Sequence, residues 1–142
     1  MPSPIKKVFF EDYVFFVSEN VYEPAEDSFL FAENLVVKEG DVVLDMGTGC
    51  GILGVVAAEK AAKVVAVDVN PYAVRCAKKN AKLNGVSNKI FFVQGDLFTA
   101  IRIGERLGFS ENPSMNDIIR TAIIIQITSF FVNIILVMPL FI

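Results

Sequence analysis

Asp45, Asp68 and Asp96 each stand at the end of a short apolar segment of the sequence. If these segments are parallel strands of one sheet, the three carboxylates lie along the same edge of that sheet. At such an edge the acid of the second strand, Asp68, can accept hydrogen bonds from both hydroxyls of a ribose. Asp96 is suited to accept a hydrogen bond from the amino group of an adenine. The three acids therefore predict a site for a ligand that contains a nucleoside.

A glycine-rich loop, Asp-Met-Gly-Thr-Gly-Cys-Gly at residues 45–51, follows the first of these segments. Glycine lets the backbone turn tightly and approach a ligand, and a helix that begins after the loop offers unpaired N–H groups. Gly49, Gly51 and Gly54 also satisfy the G-x-G-x-x-G pattern of dinucleotide-binding proteins. Asp45, however, would repel a pyrophosphate and attract an ammonium group. S-adenosylmethionine, a cationic ligand without phosphate, therefore fits this loop better than NAD does.

The segments that must position this loop alternate between strand and helix. Residues 8–17 are predicted to be extended and residues 25–36 helical, and strand, helix, strand, helix and strand follow at 42–44, 52–62, 63–69, 70–83 and 90–93. Asn70 followed by Pro71 is a typical helix start. Continuous apolar strands joined by helices indicate parallel pairing through right-handed crossovers. The predicted fold class is α/β: a Rossmann-like, doubly wound, mostly parallel sheet with helices on both faces, incomplete in its C-terminal half.

Composition excludes several classes of protein. The 142 residues suit one domain, and the absence of histidine excludes a histidine-based triad or a histidine-ligated zinc site. Two cysteines and an N-terminus without an apolar stretch predict a cytoplasmic protein without disulfides. A net charge of −3 argues against a general nucleic-acid coat. A basic stripe at helical spacing is predicted to be a solvated outer face; it consists of Arg75, Lys78, Lys79 and Lys82.

Several motifs resemble those of class I S-adenosylmethionine-dependent methyltransferases: the loop at 45–51, Asp-Val-Asn at 68–70 and Gly-Asp-Leu at 95–97. Val-Tyr-Glu-Pro-Ala-Glu-Asp-Ser at 21–28 resembles the lead-in of the HemK-like protein-glutamine N5-methyltransferases, in particular the archaeal and eukaryotic branch that acts on release factors. The resemblance covers residues 9–103. It implies S-adenosyl-L-methionine as cofactor, a protein substrate such as a release factor, and a small activator subunit as partner. The candidate cofactor-binding residues are Asp27, Ser28, Asp45, Gly47, Gly49, Gly51, Asp68, Asn70, Asp96 and Leu97.

The sequence departs from that family where catalysis is expected. The family carries Asn-Pro-Pro-Tyr at the end of its fourth strand, where the asparagine and a backbone carbonyl hold the amide nitrogen that is methylated. Here the expected place reads Glu-Asn-Pro-Ser-Met at 111–115, so Asn112 and Pro113 are the catalytic candidates. Three alternatives stay open: a cofactor-binding or interaction module without turnover, a methyltransferase acting on nucleic acid or small molecules, and an NAD-binding half-domain.

The last part of the chain differs from the rest in composition. We assign residues 1–117 to the cofactor-binding domain and residues 118–142 to an apolar tail whose one charged residue is Arg120. Residues 121–142, as a helix, would be long enough to cross a bilayer core of about 30 Å. The same residues could instead form two buried strands, at 122–128 and 132–138. The third interpretation is an interrupted gene or altered reading frame, which would leave the sheet incomplete.

Overall fold

A computed structural model describes residues 5–96, 102 and 121–125 of the chain. In chain order the elements are β1 (Lys6–Phe10), β2 (Tyr13–Val17), α1 (Glu26–Glu33), β3 (Val42–Met46), α2 (Ile52–Ala57), β4 (Lys63–Asp68), α3 (Pro71–Leu83), β5 (Ile90–Gln94) and β6 (Thr121–Ile125). A short 3₁₀ helix, Ser87–Lys89, precedes β5. Strands β3 to β6 form one sheet, and β1 and β2 form a separate antiparallel hairpin.

The four-stranded sheet has the order β5-β4-β3-β6, and every neighbouring pair is parallel. The predicted α/β fold with a parallel sheet is confirmed. The chain proceeds from β3 to β4 to β5 in one direction and then adds β6 on the other side of β3. The direction in which strands are added therefore reverses between β3 and β6. Such a reversal is a topological switch point. Ligands of open α/β sheets bind outside the carboxyl ends of strands at such a point.

The two faces of the sheet pack into different clusters because side chains alternate along each strand. Val64 and Ala66 of β4 belong to the larger core, together with residues of α2, α3 and the hairpin. Val65 and Val67 point to the opposite face. Helix α2 connects β3 to β4, and α3 connects β4 to β5, so both crossovers run in the same direction across the sheet. Right-handed connections therefore place both helices on the face of the larger core. Helices were predicted on the second face as well, and the described residues place none there.

Helix α3 agrees with its predicted bounds, whereas other elements differ. The Asn70 side chain accepts a hydrogen bond from the Tyr72 N–H at 3.0 Å and caps α3 as expected. Residues 8–17, predicted as one extended segment, form β1 and β2 around a turn in which Glu11 has a φ of 49°. Helix α2 ends at Ala57 rather than at residue 62. Its apolar residues continue past that point without a stop signal, so the sequence did not mark its end.

The described part of the apolar tail is a strand of the sheet. Strand β6 pairs with β3 in parallel register, from Val42 opposite Thr121 to Met46 opposite Ile125. Two buried strands, at 122–128 and 132–138, were one of the three interpretations of this segment. The structure shows a sheet strand at 121–125, and the second strand of that interpretation lies outside the described residues. No helix in the described ranges is long and apolar enough to cross a membrane.

Candidate functional site

The loop between β3 and α2 folds over the carboxyl edge of the sheet. Gly47, Gly49 and Gly51 have φ values of 73°, 56° and 90°, a left-handed conformation that side chains with a Cβ rarely adopt. The N–H groups of Gly47 and Thr48 both donate to the Val67 carbonyl, at 2.8 and 3.0 Å. These bonds hold the loop against the end of β4. The loop thus lies directly beside the carboxylate that ends that strand.

Gly49 and Gly51 have different roles in the loop. A Cβ on Gly49 would meet only the Gly47 carbonyl oxygen, at 4.0 Å, so the space outside this residue is open to a ligand. A Cβ on Gly51 would lie 3.0 Å from the Ala77 Cβ, so this glycine allows α2 and α3 to approach each other. The loop therefore combines one position that admits a ligand with one that serves helix packing.

Asp68, the last residue of β4, presents its carboxylate at the mouth of the loop. Its Oδ2 accepts a hydrogen bond from the Gly49 N–H at 3.0 Å, and its Oδ1 accepts one from the Asn70 N–H at 2.9 Å. The side chain is only partly buried. A carboxylate can accept about four hydrogen bonds, so Asp68 retains acceptor capacity toward a ligand.

A cavity of about 210 Å³ lies beside Asp68. It brings together four of the predicted cofactor-binding residues, Gly47, Gly49, Asp68 and Asn70. The other residues that line it are Tyr22, Pro24, Thr48, Cys50, Ile52, Val69 and Ala73. As far as the structure describes this wall, Asp68 is its single charged side chain.

Tyr22 and Pro24 are cavity residues that the sequence reasoning did not select. Their segment reaches the site because the Asn70 side-chain Nδ2 donates to the Asn20 carbonyl at 2.8 Å. The signal was present in the lead-in motif at 21–28, from which only Asp27 and Ser28 were taken as candidates. Tyr22 is 56% exposed, so its ring is available to a ligand at the rim of the cavity.

Asp45 occupies a different position from Asp68. It is 0% exposed, and it is not among the described residues that line the cavity. Its Oδ2 accepts a hydrogen bond from the Thr48 hydroxyl at 2.7 Å, and its Oδ1 has no partner among the described residues. Burial raises the pKa of Asp45, and the charge of Asp68 adds to this effect; hydrogen bonds from Thr48 and the Gly54 backbone oppose it, and the net pKa is about 6. Asp45 therefore supports the loop from beneath.

The remaining candidates lie away from the cavity or outside the described residues. Asp27 and Ser28 form the first turn of α1, where the Ser28 N–H donates to the Asp27 Oδ1 at 2.8 Å. Asp96 is exposed, beyond the end of β5. Leu97, Asn112 and Pro113 lie outside the described residues. Asn112 and Pro113 also precede β6, the strand beside β3, whereas the prediction placed them after the fourth strand.

Cys50 lines the cavity but is a poor nucleophile. Burial raises the pKa of its thiol to about 12, so the thiolate is scarce at neutral pH. Burial raises the pKa of Cys76 as well, and both cysteines are buried and free. Both therefore serve as small packing residues. All four residues of the basic stripe on α3 are exposed, which agrees with a solvated face.

The profile of the ribosomal protein L11 methyltransferase (PrmA) family matches residues 27–135. The chain belongs to this family. It is therefore a member of the class I S-adenosylmethionine-dependent methyltransferases, and the predicted class is confirmed. S-adenosyl-L-methionine, the predicted cofactor, is that of the PrmA family as a whole. The finer assignment to the HemK-like branch is taken up below as part of the proposed function.

Two curated relatives illustrate the similarity of this PrmA family member to protein methyltransferases. A Methanocaldococcus jannaschii protein named as a protein N5-glutamine methyltransferase is 53% identical over 79 residues, which are 55% of this chain and 39% of that protein. The release factor glutamine methyltransferase of Chlorobaculum tepidum is 33% identical over 105 residues, 66% of this chain and 36% of its own length. The chain thus spans less than two-fifths of the length of these relatives.

Solved structures share the fold. The tRNA m1G37 methyltransferase of M. jannaschii superposes with a TM-score of 0.61 at 30% identity, over 68% of this chain and 31% of its own. Methanocaldococcus jannaschii Trm5 in complex with adenosine gives a TM-score of 0.57 at 29% identity, over 65% of this chain and 30% of its own.

The residues present fit the cofactor of the family. The open space outside Gly49 permits close approach of a ligand to the backbone. The cavity wall offers Asp68 as a hydrogen-bond acceptor, and no lysine or arginine lines it within the described residues. A wall of this charge suits a cationic ligand that carries ribose hydroxyls and disfavours a pyrophosphate. The dinucleotide interpretation of Gly49, Gly51 and Gly54 therefore finds no support in the described part of the site.

Proposed function

We propose that this chain binds S-adenosyl-L-methionine in the cavity between the glycine-rich loop and the start of α3. The observation that carries the proposal is the Asp68 carboxylate, held at the cavity wall by two backbone N–H groups beside an open Gly49. Asp68 would accept the ribose hydroxyls, and Gly47 and Gly49 would let the ligand approach the backbone. Asp96 and Leu97 would contact the adenine.

Isothermal titration with S-adenosylhomocysteine tests cofactor binding, with NAD as the comparison ligand. We expect heat and saturable binding for S-adenosylhomocysteine and none for NAD. Binding of NAD alone would contradict the proposal and favour the dinucleotide interpretation. Absence of binding by either ligand, with the chain shown to be folded by circular dichroism, would contradict it as well.

We further propose that the methyl acceptor is the side-chain amide of a protein glutamine, such as that of a release factor. The names of the two curated relatives and the lead-in at 21–28 support this class of substrate. S-adenosylmethionine supplies a methyl group on a sulfonium, and the chain's own task is to bind the cofactor and orient the acceptor. Asn112 and Pro113 are the candidates for holding the amide. A small activator subunit remains part of this proposal.

A second candidate function, a cofactor-binding module without turnover, is favoured by one specific observation. Strand β6 is the fourth strand of the parallel sheet in chain order, and the sequence after it reads Gln-Ile-Thr at 126–128. The resembled family carries Asn-Pro-Pro-Tyr at that point. The acceptor amide would then lack the group expected to hold it.

Methyl transfer from labelled S-adenosylmethionine separates these functions. The acceptors are a release factor, the same factor with the glutamine of its Gly-Gly-Gln motif replaced, ribosomal protein L11, and tRNA. We expect label in the intact release factor only, with loss of transfer in Asn112→Ala. Label in L11 or tRNA would replace the substrate class, and binding of cofactor without transfer to any acceptor, with or without an added activator subunit, would establish the module without turnover.

A further inference from the structure

Helix α3 contacts the hairpin through two asparagines that lie one turn apart. The Asn84 side chain pairs with Val14 of β2: its Oδ1 accepts from the Val14 N–H at 3.1 Å, and its Nδ2 donates to the Val14 carbonyl at 2.9 Å. Asn80 pairs with Phe16 in the same way, at 2.9 Å for each of the two bonds. Two side-chain amides thus bind the free edge of β2 as a neighbouring strand would.

Asn80 makes one further bond that Asn84 does not make. Its Nδ2 also donates to the Cys50 carbonyl oxygen at 2.8 Å. Asn80 is 1% exposed, so water cannot readily replace this bond. Asn84, the residue after the end of α3, instead donates to the Asn80 carbonyl at 2.8 Å. The two residues therefore hold the hairpin alike, and only Asn80 also holds the glycine-rich loop.

The conformation of the loop near the ligand depends on the position of the Cys50 carbonyl. It lies between Gly49 and Gly51, both with positive φ, and Gly49 borders the cavity. Glycines allow many backbone conformations, so a loop built from them needs external bonds to keep one conformation. We propose that Asn80 is a positioning residue that fixes the loop in its ligand-binding conformation and couples the β1–β2 hairpin to the site. This inference rests on the proposed binding of S-adenosylmethionine at that loop.

The test compares Asn80→Ala with Asn84→Ala as a matched control, because both substitutions remove a two-bond contact with β2. Titration with S-adenosylhomocysteine at a temperature where circular dichroism shows both variants folded gives the affinities. We expect about tenfold weaker binding for Asn80→Ala and a change within about twofold for Asn84→Ala. Equal affinities of the two folded variants would overturn the inference, since a merely structural contact would act in both.

A measurement on the unmodified chain decides the matter if Asn80→Ala does not fold. In the NMR spectrum, the side-chain amide protons of Asn80 should shift and exchange more slowly when S-adenosylhomocysteine is added, while those of Asn84 stay unchanged. Identical behaviour of the two side chains would contradict the inference.

The same spectra distinguish failure of this inference from failure of the proposed function. If the unmodified chain does not bind S-adenosylhomocysteine, the proposed function fails. The positioning role is then tested by hydrogen exchange of the Gly51 N–H, which donates to the Thr48 carbonyl at 2.8 Å. Faster exchange in Asn80→Ala than in Asn84→Ala would support that role, and equal exchange would overturn it. If Asn80→Ala is unfolded, equal exchange of the Asn80 and Asn84 side-chain amides in the unmodified chain would also overturn it.

Discussion

Asp45 and Asp68 follow the same sequence pattern, an acid at the end of a buried strand, yet they occupy different environments. Asp45 lies opposite Ala66 in the register between β3 and β4, so Asp68 stands two residues, or about 7 Å, closer to the carboxyl edge. Asp45 is buried beneath the loop, and one of its oxygens has no partner among the described residues, whereas both oxygens of Asp68 accept backbone hydrogen bonds at the cavity wall. The position of an acid along its strand thus decides its role: Asp45, farther from the carboxyl edge, supports the loop, and Asp68, at the edge, can accept hydrogen bonds from a ligand.

The difference in depth also gives the two carboxyls different chemistry. Taking a carboxylate out of water favours its protonated form, and for Asp45 this effect exceeds the opposing hydrogen bonds. A positive charge bound nearby would favour the ionised form again. Binding of the proposed cationic cofactor would therefore favour ionisation of Asp45, although Asp45 does not reach the cavity wall.

The largest expected effect is that of Asp68→Ala on cofactor affinity. Hydrogen bonds to a charged acceptor contribute about 1.5–3 kcal/mol, so titration should show about 10- to 100-fold weaker binding of S-adenosylhomocysteine. Asp45→Asn, which alters a residue outside the cavity wall, should weaken binding less. If Asp45→Asn weakens binding more than Asp68→Ala does, the assignment of the two roles is reversed.

The second effect is a gain in stability from Asp45→Asn. Because the pKa of Asp45 is about 6 in the folded chain and 3.8 ordinarily, the folded state binds the proton more tightly, and stability falls as the pH rises from about 4 to about 6. Above about pH 6 the raised pKa lowers the stability of the folded chain by about 3 kcal/mol. In Asp45→Asn this loss is absent, but the unpaired amide costs about 1 kcal/mol. Urea unfolding near neutral pH should therefore show the variant to be more stable by about 2 kcal/mol.

The pH series supplies the control for that experiment. Below about pH 4 the carboxyl is protonated in both the folded and the unfolded chain, so the gain from Asp45→Asn should disappear and only the cost of the unpaired amide, about 1 kcal/mol, should remain. A difference in stability that does not depend on pH would show that burial does not raise the pKa of Asp45.

Local signals in the sequence explain which elements could be predicted. The start of α3 followed from Asn70 and Pro71, residues whose side chain or backbone acts within one turn of the chain. The end of α2 lacked such a signal. Strand β6 was one of three interpretations because an apolar segment does not itself reveal its partner; pairing with β3 is a contact between distant parts of the chain.

The same distinction applies to the site. Gly47, Gly49, Asp68 and Asn70 were predicted together because one loop and one strand end bring them to the cavity. The depth of Asp45 could not be predicted, since it depends on the register of two strands rather than on the motif. Tyr22 enters the cavity wall through a contact between Asn70 and Asn20 that spans fifty residues of chain.

Gly54→Ala should show how closely α2 packs on Asp45. A Cβ at this position would lie 2.9 Å from the Asp45 Oδ2 and 3.8 Å from its Cβ. We expect a net loss of about 1–2 kcal/mol in urea unfolding, because overpacking outweighs the gain in helix propensity. In an Asp45→Ala background the oxygen is gone, and the same substitution should become neutral or stabilising. An equal cost in both backgrounds would place the clash elsewhere, for instance at Val64.

The smallest expected effect is that of Thr48→Val, which removes the hydroxyl that donates to the Asp45 Oδ2. This hydrogen bond lowers the pKa of Asp45, so its loss should raise that pKa further. Near neutral pH the ionised carboxyl loses its donor, but it can take up a proton instead, which limits the cost to about 1 kcal/mol. At about pH 4 the carboxyl is already protonated and the cost should be smaller. Urea unfolding at both pH values tests this, in the unmodified chain and in an Asp45→Asn background. If the cost of Thr48→Val still depends on pH in the Asp45→Asn background, where position 45 has no carboxyl, the pH dependence has another origin.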